Sequence, residues 1–303
     1  EWGAGILPRL NGMFAFAIWD RNEGTLFLAR DRYGIKPLYY TNCGTTFLFA
    51  SEIKSLCKHP DFRTKIDNEG VLEYFTFQNF FTDRTLFKNV KLLPSGCYLT
   101  IAGGKEPLIR RYWDFAFQDN GNKIDEVEAV EELDRLFKQA VTRQLISDVD
   151  VGSYLSGGMD SGSITAIASR EVSLLRTFTC GFDLRSASGM ELNFDERDKA
   201  EYMSYLFKTE HYEMILKSGD LERVLPRFSW HLEEPRVGQS YPNFYAAQLA
   251  GKFVKVCLSG CGGDELFGGY PWRYYRAAVN ANFEEYIDKY YSYWQRLVPG
   301  NKI

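Results

Sequence analysis

One short segment, residues 151–161, constrains the fold of this chain more than any other. Its sequence, Val-Gly-Ser-Tyr-Leu-Ser-Gly-Gly-Met-Asp-Ser, predicts a strand that breaks at Ser156-Gly157-Gly158 and resumes as a helix at Ser161. Two adjacent glycines let the backbone turn sharply and approach a ligand closely. The N–H groups at the start of the following helix point into the same space. Together with the hydroxyls of Ser156 and Ser161, they make a cradle suited to phosphate or pyrophosphate.

Asp160 brings a negative charge into this loop, where it would oppose a phosphate unless a divalent cation joined the two. We therefore assign Asp160 to Mg²⁺, which binds carboxylate and phosphate oxygens. The alternative is an ordinary strand-to-helix loop in which Asp160 caps the helix. The complete set Ser-Gly-Gly-x-Asp-Ser favours the phosphate site, and the chain lacks the patterns G-x-x-x-x-G-K-[ST], G-x-G-x-x-G and G-x-S-x-G.

A second glycine-rich, acidic segment follows another apolar run. Residues 253–258 predict a strand, and Ser-Gly-Cys-Gly-Gly-Asp-Glu-Leu-Phe-Gly-Gly-Tyr follows it at residues 259–270. In a doubly wound sheet two such loops can face each other across the strand ends, which places Asp264 to share Mg²⁺ with Asp160. The alternative is a surface turn in which Asp264 and Glu265 are solvated charges.

The region from residue 125 onwards alternates between strand and helix patterns. This alternation predicts an α/β domain, a doubly wound parallel sheet with helices on both faces and ligands at the carboxyl ends of the strands. The predicted strands are 149–155, 176–182, 212–216 and 253–258, and the predicted helices are 161–170, 196–207, 221–231, 242–252 and one from about Trp272. Apolar residues at helical spacing from Val127 to Val141 predict a helix before the first strand.

Residues 1–115 are predicted to form mostly antiparallel β structure with short helices, an α+β arrangement. The continuous apolar run 13–19 predicts a strand covered on both faces, and Ser51 is expected to cap a short helix through Cys57. The polar, turn-rich stretch 116–124 is the predicted boundary, which gives domains 1–115 and 125–303.

Composition excludes several classes of function. The net charge is -4 and the pI about 5.6, so no large basic field exists and nucleic acid is not expected as a partner. No run of about 18 apolar residues occurs, so no membrane helix is predicted. The 6 cysteines include no C-x-x-C pair, which indicates reduced thiols in a cytoplasmic protein, and only 3 histidines are available for a metal site.

The first loop resembles the pyrophosphate loop of the N-type ATP pyrophosphatases, among them the asparagine, β-lactam, GMP and NAD synthetases. Residues 258–270 are similar to the S-G-x-G-[SG]-D-E-x-F-G-G-Y signature of the glutamine-hydrolysing asparagine synthetase family. Further segments resemble the second half of that family's glutaminase domain or elements between its ATP loops: residues 11–20, 29–40, 50–54, 194–196 and 231–235. The resemblance implies part of an N-terminal-nucleophile glutaminase sandwich followed by an ATP-pyrophosphatase domain of the adenine nucleotide alpha hydrolase type.

The resemblance also implies a reaction: ATP with Mg²⁺ adenylates the side-chain carboxylate of aspartate, and ammonia from glutamine then gives asparagine, AMP and pyrophosphate. Two alternatives stay open, the same chemistry on another carboxylate, as in β-lactam synthetase, and a non-catalytic nucleotide-binding remnant. For assembly, a homodimer is kept open. By this resemblance, the backbone at Leu155 and Cys180 contacts the adenine, and Ser259 and Gly260 approach the nucleotide. Pyrophosphate is bound by Ser156, Gly157, Gly158, Asp160 and Ser161. The implied Mg²⁺ ligands are Asp160 and Asp264.

Cys261 departs from the family pattern, because asparagine synthetases carry a glutamate there that is tied to formation of the intermediate. We include Cys261 among the catalytic positions, but favour a packed, neutral side chain over a nucleophile, and this leaves the acceptor open. Because residue 1 is Glu rather than the family's Cys nucleophile, we expect a chain truncated at both ends that does not hydrolyse glutamine.

Two groups of charged residues lie outside the two glycine-rich loops. Arg30, Asp31, Arg32 and Lys36 are expected to form a structural ion-pair network at the domain interface rather than to act in catalysis. The pair 233–234, Glu-Glu before a proline, is left open between lining an acceptor pocket and ending a helix.

Overall fold

A computed structural model describes residues 2–103, 105–117, 125–186, 195–234, 240–270 and 280–294. The chain forms two compact units. The first comprises Glu1–Asn120, Leu232–Arg236 and Tyr291–Ile303, and the second comprises Gly121–His231 and Val237–Tyr290. The helix predicted from about Trp272 begins outside the described residues.

The first unit contains two antiparallel sheets, as its short apolar segments and tight turns predict. Its elements are a 3-10 helix Gly3–Arg9, strands β1 (Ala15–Asp20), β2 (Thr25–Arg30), β3 (Tyr39–Cys43) and β4 (Thr46–Ala50), helices α1 (Ile53–Leu56) and α2 (Asn68–Phe77), and strands β5 (Lys91–Leu92), β6 (Cys97–Ala102) and β7 (Leu108–Arg111). The strand orders are β1-β2-β6-β7 and β4-β3-β5. Side chains from both sheets, including Leu28, Leu99 and Tyr40, share one core.

Strand β1 is less covered than its apolar sequence suggests. It lies at the edge of its sheet and pairs with β2 alone among the described strands. Ile18 is 55% exposed and Trp19 57% exposed. The prediction of a strand covered on both faces is therefore wrong for the described chain, because an apolar run shows a preference for burial without showing what covers each face.

The turn after β2 is held by buried charges that bind backbone groups. The carboxylate of Asp31, 1% exposed, accepts hydrogen bonds from the N–H groups of Phe14, Tyr33, Ile35 and Lys36 at 3.0–3.3 Å. The guanidinium of Arg30 donates to the carbonyls of Lys36, Gly34 and Leu93 at 2.6–2.8 Å, and burial lowers its pKa. Arg32 donates to the carbonyl of Pro8 at 2.7 Å.

These contacts support a structural role but contradict the predicted ion-pair network. Within the described chain, none of Arg30, Asp31, Arg32 and Lys36 forms an ion pair, although the charges of Arg30 and Asp31 attract each other. The reason is that carbonyl and N–H groups of the tight turn need partners once they are buried. Charged side chains satisfy them at this turn.

Helix α1 is capped from a distant part of the sequence. Ser51 does not cap it; the helix begins at Ile53 after Glu52, whose side chain makes no cap hydrogen bond. Instead, the carboxylate of Glu233 accepts hydrogen bonds from the N–H groups of Ile53 at 2.8 Å and Lys54 at 2.6 Å, and lies 3.4 Å from the Lys54 ammonium. Glu233 directly follows the helix Asp220–Leu232 and has φ +61°, so it lies at a helix end while its carboxylate is held by α1.

The second unit is an α/β domain built on a parallel sheet, as predicted. Its elements are α3 (Glu126–Gln144), β8 (Val151–Tyr154), α4 (Met159–Glu171), β9 (Arg176–Phe182), α5 (Arg197–Phe207), β10 (Glu210–Leu216), α6 (Asp220–Leu232), α7 (Ser240–Ala250), β11 (Val256–Leu258), α8 (Gly263–Phe267) and α9 (Phe283–Trp294). The strand order is β10-β9-β8-β11, and all three pairings are parallel. The predicted and observed bounds of β9 coincide.

Helices cover both faces of this sheet. On one face Val141 of α3 and Ala168 of α4 pack with Val151 and Leu258, and on the other Leu249 and Ala250 of α7 pack with Phe178. The amino-terminal half of α3 is different, because Val127 and Val130 are exposed. None of the helices in the described residues is long and apolar enough to cross a membrane.

Candidate functional site

The strand order places two loops side by side. From β8 the chain runs outward through β9 and β10, then returns to add β11 on the other side of β8. The strand order therefore reverses between β8 and β11, where Val151, Gly152 and Ser153 pair with Val256, Cys257 and Leu258. In open α/β sheets, ligands bind in the crevice at the carboxyl ends of the strands at such a reversal. The two glycine-rich loops leave β8 and β11 at this point.

The loop after β8 is shaped by its own serines. Leu155 is fully buried, and its N–H donates to the carbonyl of Phe178 at 3.0 Å. The hydroxyl of Ser161 accepts from the N–H of Ser156 at 3.1 Å and lies 3.0 Å from the Ser156 hydroxyl. Gly157 has φ +78°, a conformation that side chains rarely adopt. The serine hydroxyls therefore brace the loop as well as lying beside the ligand space.

Helix α4 presents open donors to this space. It begins at Met159, two residues before the predicted start, because Gly158 takes the extended backbone of an N-cap residue without a capping side chain. Asp160 lies inside the first turn and is not the N-cap, so the capping role that the alternative gave it is wrong. Within the described chain, the N–H groups of Gly157, Met159, Asp160 and Ser161 donate to no protein acceptor. Unpaired donors at a helix start suit an anion.

The loop after β11 lies directly against the first loop. An ideal Cβ placed on Gly260 would lie 2.7 Å from the backbone nitrogen of Ser161 and 3.0 Å from the Cβ of Asp160. A Cβ on Gly263 would overlap the Asp160 carboxylate. Glycine is therefore required at residue 260 for the loops to approach this closely, whereas a side chain at residue 263 would force the Asp160 carboxylate to move. Asp264 follows Gly263 and lies in the first turn of α8.

Within the described ranges, the carboxylates of Asp160 and Asp264 have no cationic partner. Neither forms an ion pair or accepts a hydrogen bond within the described part of the chain. Those residues also contain no group of at least three His, Cys, Asp or Glu side chains that could hold a metal ion. Mg²⁺ is commonly bound by one or two carboxylates together with substrate phosphates and water. Carboxylates belong to that donor set, and the structure places the Asp160 carboxylate against Gly263 and the Asp264 carboxylate against Gly269.

The remaining predicted positions differ in exposure. Cys180 lies near the end of β9, and burial, with the nearby Asp195 charge, raises the pKa of its thiol to about 12, so it stays protonated. Ser259 accepts a hydrogen bond from the N–H of Cys261 at 3.2 Å. The thiol of Cys261 is exposed, so the prediction of a packed side chain is wrong. The loop conformation that turns it outward has no signature in the sequence.

Sequence analysis missed one residue that contacts the first loop. An ideal Cβ on Gly157 would lie 2.5 Å from the Cβ of Lys199 and 3.1 Å from the backbone nitrogen of Ala200. The start of α5 therefore packs on the loop. The glycine gave a signal for close approach, but the pattern along the chain does not identify its partner.

These observations define the class of protein. The second unit is a doubly wound α/β domain in which two glycine-rich loops meet at the switch point of a parallel sheet. The Asparagine synthase family model matches residues 132–301, and the Glutamine amidotransferase domain model matches residues 1–113. The chain belongs to the asparagine synthase family.

Curated relatives agree with the family models. Asparagine synthetase [glutamine-hydrolyzing] 3 of Bacillus subtilis (strain 168) is 36% identical over 322 residues, covering 98% of this chain and 50% of the relative. A putative asparagine synthetase [glutamine-hydrolyzing] of Mycobacterium tuberculosis (strain CDC 1551 / Oshkosh) is 37% identical over 297 residues, covering 95% of this chain and 44% of the relative. The chain thus spans about half the length of the curated relatives it matches.

Similar solved structures include two synthetases. The NH3-dependent NAD synthetase of Campylobacter jejuni aligns with a TM-score of 0.30 and 16% identity, covering 49% of this chain and 62% of the other. NMN synthetase of Francisella tularensis aligns with a TM-score of 0.31 and 14% identity, covering 59% of this chain and 74% of the other.

Proposed function

We propose that this chain carries the ATP-dependent step of asparagine formation: activation of the aspartate side-chain carboxylate by ATP, and its amidation with ammonia derived from glutamine. Residues 125–303 serve as the ATP-pyrophosphatase domain and residues 1–115 as a glutaminase-type domain. The observation that carries the proposal is the pair of abutting loops with open N–H donors and unpaired carboxylates. Family membership supports the same function.

In the first step, a carboxylate oxygen of aspartate attacks the α-phosphorus of ATP. The bond to the β-phosphate oxygen breaks, and pyrophosphate leaves with its electron pair. In this proposal the N–H groups of Gly157, Met159, Asp160 and Ser161 stabilise the charge that develops on this leaving group. Because these donors are fixed by the loop, little reorganisation is needed as the charge moves.

In the second step, ammonia attacks the acyl carbon of the adenylate. AMP departs, the nitrogen loses a proton, and the amide of asparagine remains. In this proposal the backbone at Leu155 and Cys180 borders the adenine, and Ser259 and Gly260 approach the nucleotide. Asp160 and Asp264 would hold Mg²⁺, which offsets negative charge on the phosphates when bound.

The cysteines indicate the cellular compartment in which the proposed reaction takes place. All six are free thiols in the structure, which suits a reducing compartment, and we place the protein in the cytoplasm. Its partners are then small molecules, namely ATP, aspartate and glutamine or ammonia. Two copies of the chain acting as a homodimer belong to the same proposal.

An ATP–pyrophosphate exchange assay with a panel of carboxylic acids tests the function. Labelled pyrophosphate should enter ATP when aspartate is present, because adenylation is reversible before ammonia attacks. Exchange with another acid but not with aspartate would shift the proposal to a different acceptor, the alternative that Cys261 leaves open. Absence of exchange with every acid, together with absence of Mg²⁺·ATP binding, would contradict an adenylating function.

A further inference from the structure

The proposed pyrophosphate site has an unusual balance of charge. Residues 156–161 and 259–270, the two loops that form it, contain no lysine or arginine. They do contain Asp160, Asp264 and Glu265. A polyphosphate is itself strongly anionic, and backbone N–H groups supply only partial positive charges. A single Mg²⁺ offsets part of the total, so the site calls for a cationic side chain from elsewhere in the fold.

Helix α5 brings one cation to this place. The backbone of Lys199 and Ala200 lies against Gly157, and the Cβ of Lys199 is the atom that an added Gly157 Cβ would meet first, at 2.5 Å. The Lys199 side chain therefore starts at the surface of the loop. Its long, flexible stem and compact ammonium suit a mobile point charge that follows a phosphate group.

Among the described residues, the ammonium of Lys199 has no charged or hydrogen-bonding partner, whereas the guanidinium of Arg197 on the same helix has both. Within the described residues its ammonium forms no ion pair and no hydrogen bond, and the side chain is exposed. Arg197 donates to both carboxylate oxygens of Asp195 at 2.7–3.1 Å and to the carbonyl of Phe182 at 2.9 Å. Arg197 is thus held in a structural pair, whereas the charge of Lys199 remains available.

We propose that Lys199 binds the phosphates of ATP distal to the scissile bond, and the pyrophosphate that leaves. This inference rests on the proposed function, since it assigns a residue to that site. The position of Gly157 against α5 explains how the loop and the lysine meet: glycine at φ +78° allows the helix to approach, and the lysine supplies the charge that the loop lacks.

The test is calorimetric binding of three probes to the chain in the presence of Mg²⁺: ATP, inorganic pyrophosphate and AMP. Lys199→Met removes the ammonium but keeps an unbranched stem, and with it the packing beside Gly157. We expect its Kd for pyrophosphate and for ATP to rise about tenfold, as for loss of one charge-assisted hydrogen bond. The Kd for AMP, which lacks the distal phosphates, should stay within about twofold of wild type.

Two further variants separate charge from structure. Lys199→Arg retains the charge and should keep pyrophosphate binding within about threefold of wild type. Lys252→Ala removes another exposed lysine of the same unit, one that precedes the amino end of β11 whereas the site loop follows its carboxyl end, and should change none of the three affinities.

The outcomes are distinct. Unchanged pyrophosphate binding by Lys199→Met would overturn the inference, and so would an equal loss for pyrophosphate and AMP, which indicates a structural role. If the wild-type chain binds neither ATP nor pyrophosphate, the proposed function fails first and the inference with it. That result is seen without any variant, so the two failures cannot be confused.

Discussion

Asp31 and Asp160 lie in similar-looking sequence contexts, yet the structure treats them in opposite ways. Each aspartate lies shortly after the end of a strand, Asp31 in the turn after β2 and Asp160 in the first turn of α4. Asp31 is buried and accepts hydrogen bonds from four backbone N–H groups. Asp160 accepts none among the described residues and is surrounded by N–H groups that donate to no protein acceptor. Satisfied polar groups mark the turn as structural, and unsatisfied ones mark the loop as a place for a ligand.

Replacing each aspartate gives the largest contrast. Asp31→Ala leaves four partly buried donors without their acceptor, so the free energy of unfolding should fall by about 3 kcal/mol. Asp160→Ala removes no hydrogen bond or ion pair among the described residues and should change it by less than about 1 kcal/mol. Urea denaturation of both variants measures the difference. Equal losses in the two variants would remove the distinction between the turns.

The glycines of the two units sharpen the same contrast. Gly157→Ala combines strain at φ +78° with collision against Lys199 and Ala200, and should cost about 3 kcal/mol. Gly44→Ala is the matched control, because Gly44 has φ +60° but open space around its Cα; it should cost only about 1 kcal/mol. Thermal unfolding gives the stabilities. A control as costly as Gly157→Ala would mean that strain alone, and not the approach of α5, explains the glycine.

Glu233 resembles Asp31, because its carboxylate also accepts hydrogen bonds from backbone N–H groups. Glu233→Ala leaves the first N–H groups of α1 without their acceptor and should lower the free energy of unfolding by about 1.5 kcal/mol. Glu233→Gln keeps one acceptor oxygen and should lose about half as much. Hydrogen exchange at the Ile53 and Lys54 amides localises the effect. Unchanged protection of these amides in Glu233→Ala would contradict the capping role.

The smallest expected effect is a change in the free energy of unfolding at acidic pH. Burial raises the pKa of Asp195, but hydrogen bonds from Arg197 and the Phe182 N–H outweigh it, so the folded-state pKa lies below the ordinary value of 3.8. A depressed pKa contributes stability that is fully present above the unfolded-state pKa and is lost as pH falls through the folded-state value. The stability gap between wild type and Asp195→Asn should therefore be constant from pH 7 to pH 5 and shrink below about pH 4. A gap that grows on acidification would reverse the sign.

The sequence was sufficient for the parts of the fold that depend on local pattern. Strand β9 has its predicted bounds, and α4 starts within two residues of its predicted start. The meeting of the two loops was also predicted, because a doubly wound sheet brings successive strand ends to one edge.

Long-range partners could not be predicted in this way. Glu233 caps a helix that lies 180 residues earlier, and Lys199 meets Gly157 from another helix. Neither pairing leaves a periodic or compositional trace, since each depends on how distant elements pack. The exposure of Cys261 and of β1 likewise depends on what surrounds them in space.

Calorimetric titration of Mg²⁺·ATP into the wild-type chain and Asp160→Ala tests the central claim most directly. If the abutting loops form the nucleotide site, the wild type binds and the variant loses at least about tenfold in affinity, with most of the loss disappearing when Mg²⁺ is omitted. Identical isotherms for the two proteins in the presence of Mg²⁺ would contradict the account.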